Sequence, residues 1–350
     1  MTDDILIFVE GRTGRIRLNR PKAIHALTHA MCTAMIAALT AWAADDAVDL
    51  VMIDHVDGRG FCAGGDIRLI AESAAEDGVA ARAFFHEEYR LNHLLFTYAK
   101  PTIAFMDGIT MGGGVGISQP CSIRVVTDRT VYAMPETGIG LFTDVGGGRY
   151  LSRMPGRTGR YVGLTGARLN GAECLATSLG THYVAGNDVE PLKAAILGNP
   201  RGIDAALRSA ITAVPAAPLL DRKADIDRLF AADRYEDILA ALAADGGDWA
   251  LATLKTLEGK SPRSCKVVLR LLAEAERIDD FGVEMTMEYA VAAHIIKRPD
   301  FVEGVRALIV DKDGAPRWNP ANPAAVADSE VDAIFAPLAP GEAWTPLPNA

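Results

Sequence analysis

The chain of 350 residues carries a formal net charge of −10, and 49% of its residues are hydrophobic. A chain of this length can bury a large core as one large domain or two smaller ones. The acidic balance argues against a general nucleic-acid binder, which would show a basic stripe, and no uncharged apolar run is long enough to predict a membrane span.

The cysteines and the N-terminal residues indicate the cellular compartment in which the protein is found. The five cysteines form an odd set without a CxxC motif, which predicts reduced thiols. The opening MTDDILIFVEGR is acidic and lacks the pattern of a leader. We therefore expect a soluble cytoplasmic protein.

The first two hundred residues alternate strand and helix patterns. A β-hairpin is predicted over residues 4–19, and a helix with apolar residues at helical spacing follows over 26–43. Buried strands are predicted at 49–55 and 101–107, short strands at 122–126 and 130–134, and a further helix at 79–98. Glycine-dense turns at 60–66, 108–114 and 143–150 separate these elements. This alternation predicts an α/β domain.

From about residue 200 the chain is rich in Ala and Leu with helical periodicity. Ser261-Pro262 has the pattern of a helix N-cap, and helices are predicted at 282–297 and 301–309. The tail from Ala336 is rich in Pro and Ala, so we expect its end to be poorly ordered. We predict a core region at 1–199 and a helical region at 200–350.

Three glycine-bearing segments could carry chemistry: FCAGGD at 61–66, GITMGGG at 108–114, and MPET with FTDVGGG between 134 and 148. Adjacent glycines after a buried strand can expose backbone N–H groups, which stabilise developing negative charge. Singly, each segment is more often a tight turn, and Glu136 or Asp144 could serve as a helix-start residue. Their occurrence together and in this order favours an active site.

These segments resemble the crotonase superfamily. The resemblance rests on LNRPKA at 18–23, FCAGGD, the segment from Lys100-Pro101 to Gly114, Pro135-Glu136 and DFVEGVR at 300–306. Longer strings resemble its 3-hydroxyisobutyryl-CoA hydrolase branch, at 86–92, 109–118, 134–148, 219–230, 286–292 and 310–320. The resemblance spans nearly the whole chain and implies a spiral of ββα units followed by a helical C-terminal region.

The resemblance implies an acyl-CoA site. The thioester carbonyl would lie between the N–H groups of Ala63 and Gly113, with Gly64 and Gly112 allowing close approach of the substrate. Losing one such donor typically reduces the rate ~10²–10³-fold. Lys22, Ala23 and Arg68 would contact CoA, although a surface lysine and arginine are more often simply solvated.

The carboxylates indicate which reaction follows. Enoyl-CoA hydratases of the superfamily use two glutamates; one matches Glu136, but the other falls at Gly116, which has no side chain. The departure counts against hydration. Asp144 supplies a second carboxylate, and two nearby carboxylates can act as base and acid. Glu136 would attack the thioester carbon or activate water, Asp144 would relay a proton, and Glu88 would bind the substrate hydroxyl or lie on a solvated helix face.

The function predicted first is hydrolysis of a 3-hydroxyacyl-CoA in valine degradation. Double-bond isomerisation by Glu136 alone and non-catalytic acyl-CoA binding are the alternatives. Coenzyme A enters as part of the substrate, and no separate cofactor or metal is expected: His25 and His29 lack a third ligand nearby in the sequence. The resemblance implies assembly as a trimer or hexamer through the C-terminal region, but the extra helical segment near residues 200–250 could alter this, so the oligomeric state stays open.

Overall fold

Residues 2–348, which the computed structural model describes, form ten strands in two sheets and sixteen α-helices. The strands are β1 (Ile5–Glu10), β2 (Thr13–Leu18), β3 (Leu50–His55), β4 (Gly60–Cys62), β5 (Thr102–Met106), β6 (Ile109–Met111), β7 (Ile123–Val126), β8 (Val131–Ala133), β9 (Leu169–Asn170) and β10 (His182–Tyr183).

The helices fall into two sets along the chain. The first set is α1 (His29–Ala43), α2 (Ile67–Ala75), α3 (Val79–Phe96), α4 (Gly113–Ser118), α5 (Gly147–Ser152), α6 (Thr158–Thr165), α7 (Gly171–Ala176) and α8 (Val189–Gly198). The second set is α9 (Ile203–Ala210), α10 (Lys223–Leu229), α11 (Tyr235–Asp245), α12 (Asp248–Glu258), α13 (Pro262–Ala275), α14 (Phe281–Ile295), α15 (Pro299–Val305) and α16 (Asp328–Ile334).

The strands alternate between the two sheets. One sheet has the order β1-β2-β3-β5-β7-β10, and the other has the order β4-β6-β8-β9. Each pair β3-β4, β5-β6 and β7-β8 therefore places one strand in each sheet before the chain continues into helices. The pairings within each sheet are parallel apart from the β1-β2 hairpin and the β8-β9 edge. This is the spiral of ββα units that the sequence predicts.

Strand β3 is buried on both faces, which explains its unbroken apolar run. Its alternate residues enter two different cores because successive side chains point to opposite faces. Leu50 and Met52 pack in a cluster with side chains of α8 and α9, whereas Val51 and Ile53 belong to the main core.

The elements mostly match the expectations from the sequence. The hairpin, the two buried strands and the helix at 79–96 are confirmed. The first helix begins at His29, since Thr28 accepts the N–H of Met31 and acts as its N-cap. Helix α2 and strand β6 were not foreseen, and the α-helix predicted at 301–309 ends at Val305 and continues as a π-helical turn, Arg306–Val310.

The C-terminal helices pack directly on the spiral. Helix α13 contacts α5 and α6, α14 contacts α3, and α15 contacts α2. The tail is anchored by Trp344, whose indole donates to the carbonyl of His86 (3.1 Å). Residues 349 and 350, where the composition predicts poor order, lie outside the described residues. The division at residue 200 and the oligomeric state stay predictions.

Candidate active site

One cavity of about 430 Å³ brings the predicted site residues together. It lies between the loops that follow β4 and β6, helix α3, and the 3₁₀ helix Glu136–Ile139. Nine of the ten residues predicted for the site line it: Ala23, Ala63, Gly64, Arg68, Glu88, Gly112, Gly113, Glu136 and Asp144. Lys22 is the exception, since it is exposed on the 3₁₀ helix Pro21–Ala23 and is not among the described lining residues.

The glycine triplet after β6 is required by close contacts. Gly112 has φ 48° and ψ −121°, a conformation that strongly favours glycine. A Cβ at Gly113 would lie 2.4 Å from Oε1 of Glu88, and a Cβ at Gly114 would lie 2.3 Å from the carbonyl oxygen of Cys62. The triplet therefore lets α4 begin directly against the β4 loop, with the N–H of Gly113 at the cavity.

Ala63 does not fit the donor role that the sequence predicts for it. Its N–H already donates to the carbonyl of Ile24 (2.9 Å), so the hydrogen points away from an incoming carbonyl. Sequence alone could not show this, because the partner comes from the segment before α1, almost forty residues earlier.

Gly65 presents the N–H that Ala63 does not. Gly65 forms a parallel bridge with Leu27, in which the two peptide groups flanking Gly65 are paired with Leu27. Since peptide groups alternate along an extended segment, the N–H of Gly65 points to the opposite side. The adjoining Gly64 lies against the start of α4, since a Cβ there would be 3.7 Å from the backbone nitrogen of Gly113. Among the described residues no acceptor pairs with the N–H of Gly65 or of Gly113, and both residues line the cavity, so both amides are available to a ligand carbonyl.

Three buried carboxyl groups surround the donors: Glu88 from α3, Glu136 from the 3₁₀ helix and Asp144 from the loop before α5. Glu88 contacts the backbone at Gly113, and Oε1 of Glu136 lies 3.3 Å from the position of a Cβ at Gly112. One oxygen each of Glu88 and Glu136 has no hydrogen-bond partner among the described residues. Glu88 is therefore not on a solvated helix face, because α3 directs it into the cavity.

Burial dominates the ionisation of these groups. It raises the pKa of Glu136 well above its usual value, and the negative charge of Asp144 adds to the rise. Burial likewise raises the pKa of Glu88, followed by the charges of Asp144 and Glu136. Burial raises the pKa of Asp144 to about 7, although the hydroxyl of Tyr89 donates to its Oδ2 (2.8 Å) and opposes the rise. A carboxyl group with a pKa near neutrality can both accept and donate protons.

Besides Gly65, two parts of the site are not predicted by the sequence. Tyr89 follows Glu88 in the string at 86–92, but nothing in that string identifies Asp144 as its partner. The π-helical turn places Leu308 and Ile309 at the cavity, where each is about 40% exposed. π-Helical turns occur frequently at functional sites.

The arrangement suits a thioester. Two N–H donors can hold a carbonyl oxygen as it gains negative charge, while two carboxyl groups stand ready for attack and proton transfer. Within residues 2–348 no cluster of three or more His, Cys, Asp or Glu side chains could hold a metal ion. The described part of the chain also contains no helix with the length and apolar character needed to cross a bilayer.

Comparison with known proteins gives a consistent family. A family model described as enoyl-CoA hydratase/isomerase matches residues 13–335. A solved carnitinyl-CoA dehydratase from Mycobacterium thermoresistibile superposes with a TM-score of 0.93 at 41% identity, covering 97% of this chain and 98% of that one. An enoyl-CoA hydratase from Rhodobacter sphaeroides 2.4.1 gives 0.92 at 38% identity, covering 98% and 100%.

Curated relatives carry a different activity in their names. A zebrafish (Danio rerio) protein named 3-hydroxyisobutyryl-CoA hydrolase, mitochondrial, is 41% identical, covering 96% of this chain and 90% of the relative. The human protein of the same name is 37% identical, covering 96% and 89%. These names contradict the predicted cytoplasmic location. Reduced cysteines indicate a reducing environment, but they do not distinguish one reducing compartment from another.

Proposed function

The chain belongs to the enoyl-CoA hydratase/isomerase family, and from that premise we propose that it hydrolyses the thioester of a 3-hydroxyacyl-CoA, with 3-hydroxyisobutyryl-CoA as its substrate. One observation carries the proposal: Glu136 and Asp144 face the same cavity as the free amides of Gly65 and Gly113. The names of the zebrafish and human relatives support this choice of reaction, and the resemblance to the hydrolase branch implies a place in valine degradation.

The first step is polarisation of the thioester carbonyl. Its oxygen accepts hydrogen bonds from the N–H groups of Gly65 and Gly113, which replace the assignment of Ala63. These backbone donors are fixed by the fold before substrate arrives, so they need no reorganisation as negative charge develops on the oxygen.

Glu136 and Asp144 divide the proton transfers. Glu136 acts in its ionised form: it attacks the thioester carbon, or removes a proton from the water that does so. The C–S bond then breaks, and the departing CoA sulfur takes a proton from Asp144, whose pKa of about 7 leaves it partly protonated at neutral pH. One water molecule supplies the new oxygen of the acid; one of its protons restores the proton that Asp144 gave to sulfur, and the other belongs to the carboxylic acid. Tyr89 fixes the orientation of Asp144 throughout.

Glu88 selects the hydroxyl-bearing acyl group. Its carboxyl group lies beside Gly113, next to the point where the acyl carbonyl binds, and one of its oxygens is unpaired within the described residues. A hydroxyl two carbons from the carbonyl can reach this oxygen. An acyl chain without the hydroxyl leaves the buried carboxyl group unsatisfied, which is unfavourable.

The CoA portion of the bound substrate extends out of the cavity through its opening. Ala23 and Arg68 line this opening, with Leu308 and Ile309 providing an apolar surface for the pantetheine. Among residues 2–348 the only ion pair of Arg68 is a long contact of 3.9 Å with Glu72, so its guanidinium is free to approach a CoA phosphate. Lys22, adjacent to Ala23 in the sequence, remains a predicted phosphate contact outside the cavity.

Hydration or dehydration is the second candidate, since the two superposed structures carry the names of a dehydratase and a hydratase. The site disfavours it because the helix position expected to carry the second glutamate is Gly116. A Cβ there would lie 2.7 Å from both Nδ2 of Asn92 and Cβ of Val145. The neighbouring side chains thus fill the space that a carboxylate would need.

Thiol release from a panel of CoA esters tests the proposal. We expect rapid release from 3-hydroxyisobutyryl-CoA, with a loss of ~10²–10⁴-fold in Glu136→Gln and in Asp144→Asn. Crotonyl-CoA, followed by the loss of its enoyl absorbance, is the control for hydration. Turnover of crotonyl-CoA without thiol release from any ester would exclude the hydrolase. Rapid quenching and mass spectrometry of the peptide containing Glu136 detects an acyl adduct only if attack is covalent.

A further inference from the structure

The loop that carries Asp144 has an unusual backbone. Val145 and Gly146 follow Asp144 with φ values of 55° and 82°, so two successive residues are left-handed. A β-branched residue rarely adopts positive φ, and it does so only where its surroundings hold it there. The direction of the Asp144 side chain, and hence its hydrogen bond to Tyr89, depends on this conformation.

Glu288 of α14 holds this loop from behind. Its Oε2 accepts the N–H of Gly146 at 2.8 Å, and its Oε1 accepts the N–H of Gly148 at 3.4 Å. The side chain is fully buried and comes from a residue about 140 positions later in the chain. Both oxygens are therefore committed to the loop, on the side away from the cavity.

We propose that Glu288 is a positioning residue for the reaction: its side-chain oxygens fix residues 145–148 and so keep Asp144 in place against Tyr89. The inference rests on the proposed function, in which Asp144 transfers the proton. Glu288 is not among the described residues that line the cavity, so it acts on substrate only through this loop. The string at 286–292, whose role the sequence left unassigned, thereby acquires one.

Glu284 provides a matched comparison. It lies one turn earlier on α14, is equally buried, and also faces α5. Its nearest charged partner is Arg149 at 3.5 Å, and among the described residues neither of its oxygens accepts a hydrogen bond. A change of Glu284 therefore removes a buried carboxyl group from the same helix without releasing the amides of the loop.

The test compares Glu288→Gln with Glu284→Gln in the folded protein, after the wild type has been shown to hydrolyse 3-hydroxyisobutyryl-CoA. A glutamine at 288 keeps one acceptor but turns an NH₂ group towards the other N–H. Because a displacement of about 1 Å can reduce turnover by ~10²-fold, we expect kcat of Glu288→Gln to fall ~10–100-fold with KM within about twofold of wild type. We expect Glu284→Gln to retain its kcat.

Two results would overturn the inference: wild-type kcat in Glu288→Gln, or an equal loss in Glu284→Gln. If Glu288→Gln does not fold, Glu288→Asp replaces it, since the shorter side chain keeps the carboxyl group but cannot reach both amides. Wild-type kcat in a folded Glu288→Asp would equally refute the role. Absence of hydrolysis by the wild type would instead refute the proposed function.

Discussion

Asp144→Asn should stabilise the protein while it lowers turnover ~10²–10⁴-fold, because the buried carboxyl group is unfavourable once ionised. Burial raises the pKa of Asp144 from 3.8 to about 7, a difference of roughly 3 pH units. At 1.36 kcal/mol per unit, ionising Asp144 costs the folded state at most about 4 kcal/mol. An asparagine keeps an oxygen that can accept the hydroxyl of Tyr89, so the main change is the loss of ionisation.

The sign of this effect depends on pH. Between about pH 4 and 7, Asp144 is mostly protonated in the folded state but mostly ionised in the unfolded chain. Its stabilising contribution is therefore complete below about pH 4 and is lost as the pH rises through 7. The variant does not titrate, so its advantage over the wild type should be small at pH 4.5 and approach its maximum at pH 8.

Urea denaturation at pH 4.5, 6 and 8 measures the difference. Glu76→Gln serves as the control, since it removes one negative charge from an exposed position at the end of α2. Equal stabilisation by Asp144→Asn at all three pH values, or destabilisation at pH 8, would refute the argument from burial. Natural active sites often retain groups that reduce stability.

Two further predictions concern selectivity and backbone packing. Glu88→Ala should lower the ratio of kcat/KM for 3-hydroxyisobutyryl-CoA over isobutyryl-CoA about tenfold, as expected for the loss of one hydrogen bond. The control variant Glu87→Ala should leave this ratio unchanged. An unchanged ratio in both variants would show that Glu88 does not recognise the hydroxyl. Gly140→Ala should lower the thermal unfolding midpoint far more than Gly246→Ala. Both glycines have positive φ, but only at Gly140 would a Cβ meet a backbone oxygen, which is that of Asp300 at 2.2 Å. Equal shifts of the midpoint in the two variants would contradict this reasoning.

The strands and the carboxylates were predictable from local sequence. Buried strands show as short apolar runs, whereas Glu136 and Asp144 were identified through the resemblance of residues 134–148 to the hydrolase branch of the crotonase superfamily. The choice between Ala63 and Gly65 as donor was not predictable, because it depends on hydrogen bonds to Ile24 and Leu27 from a segment distant in sequence. Residue type alone carries no information about the direction of an N–H group.

The second set of misses has a related cause. Tyr89 and Glu288 act through partners 55 and 142 residues away, so no pattern within their own helices identifies what they bind. The helical periodicity at 301–309 predicts a helix, but a π-helical turn shifts each hydrogen bond by only one residue relative to an α-helix. Its spacing of apolar residues in the sequence is therefore almost the same. That small difference turns Leu308 and Ile309 towards the cavity.

The packing around Gly116 explains why this site suits hydrolysis and not hydration. The glutamate expected there in hydratases is not simply missing, because Asn92 and Val145 occupy the place where its side chain would begin. Val145 has a left-handed backbone and follows Asp144 directly in the chain. Val145 blocks a carboxylate at position 116 of α4, and its neighbour Asp144 supplies a carboxylate from the loop before α5. Restoring a glutamate at 116 would displace Val145 and with it Asp144. The second carboxylate can therefore come from one side or the other, but this backbone does not hold both.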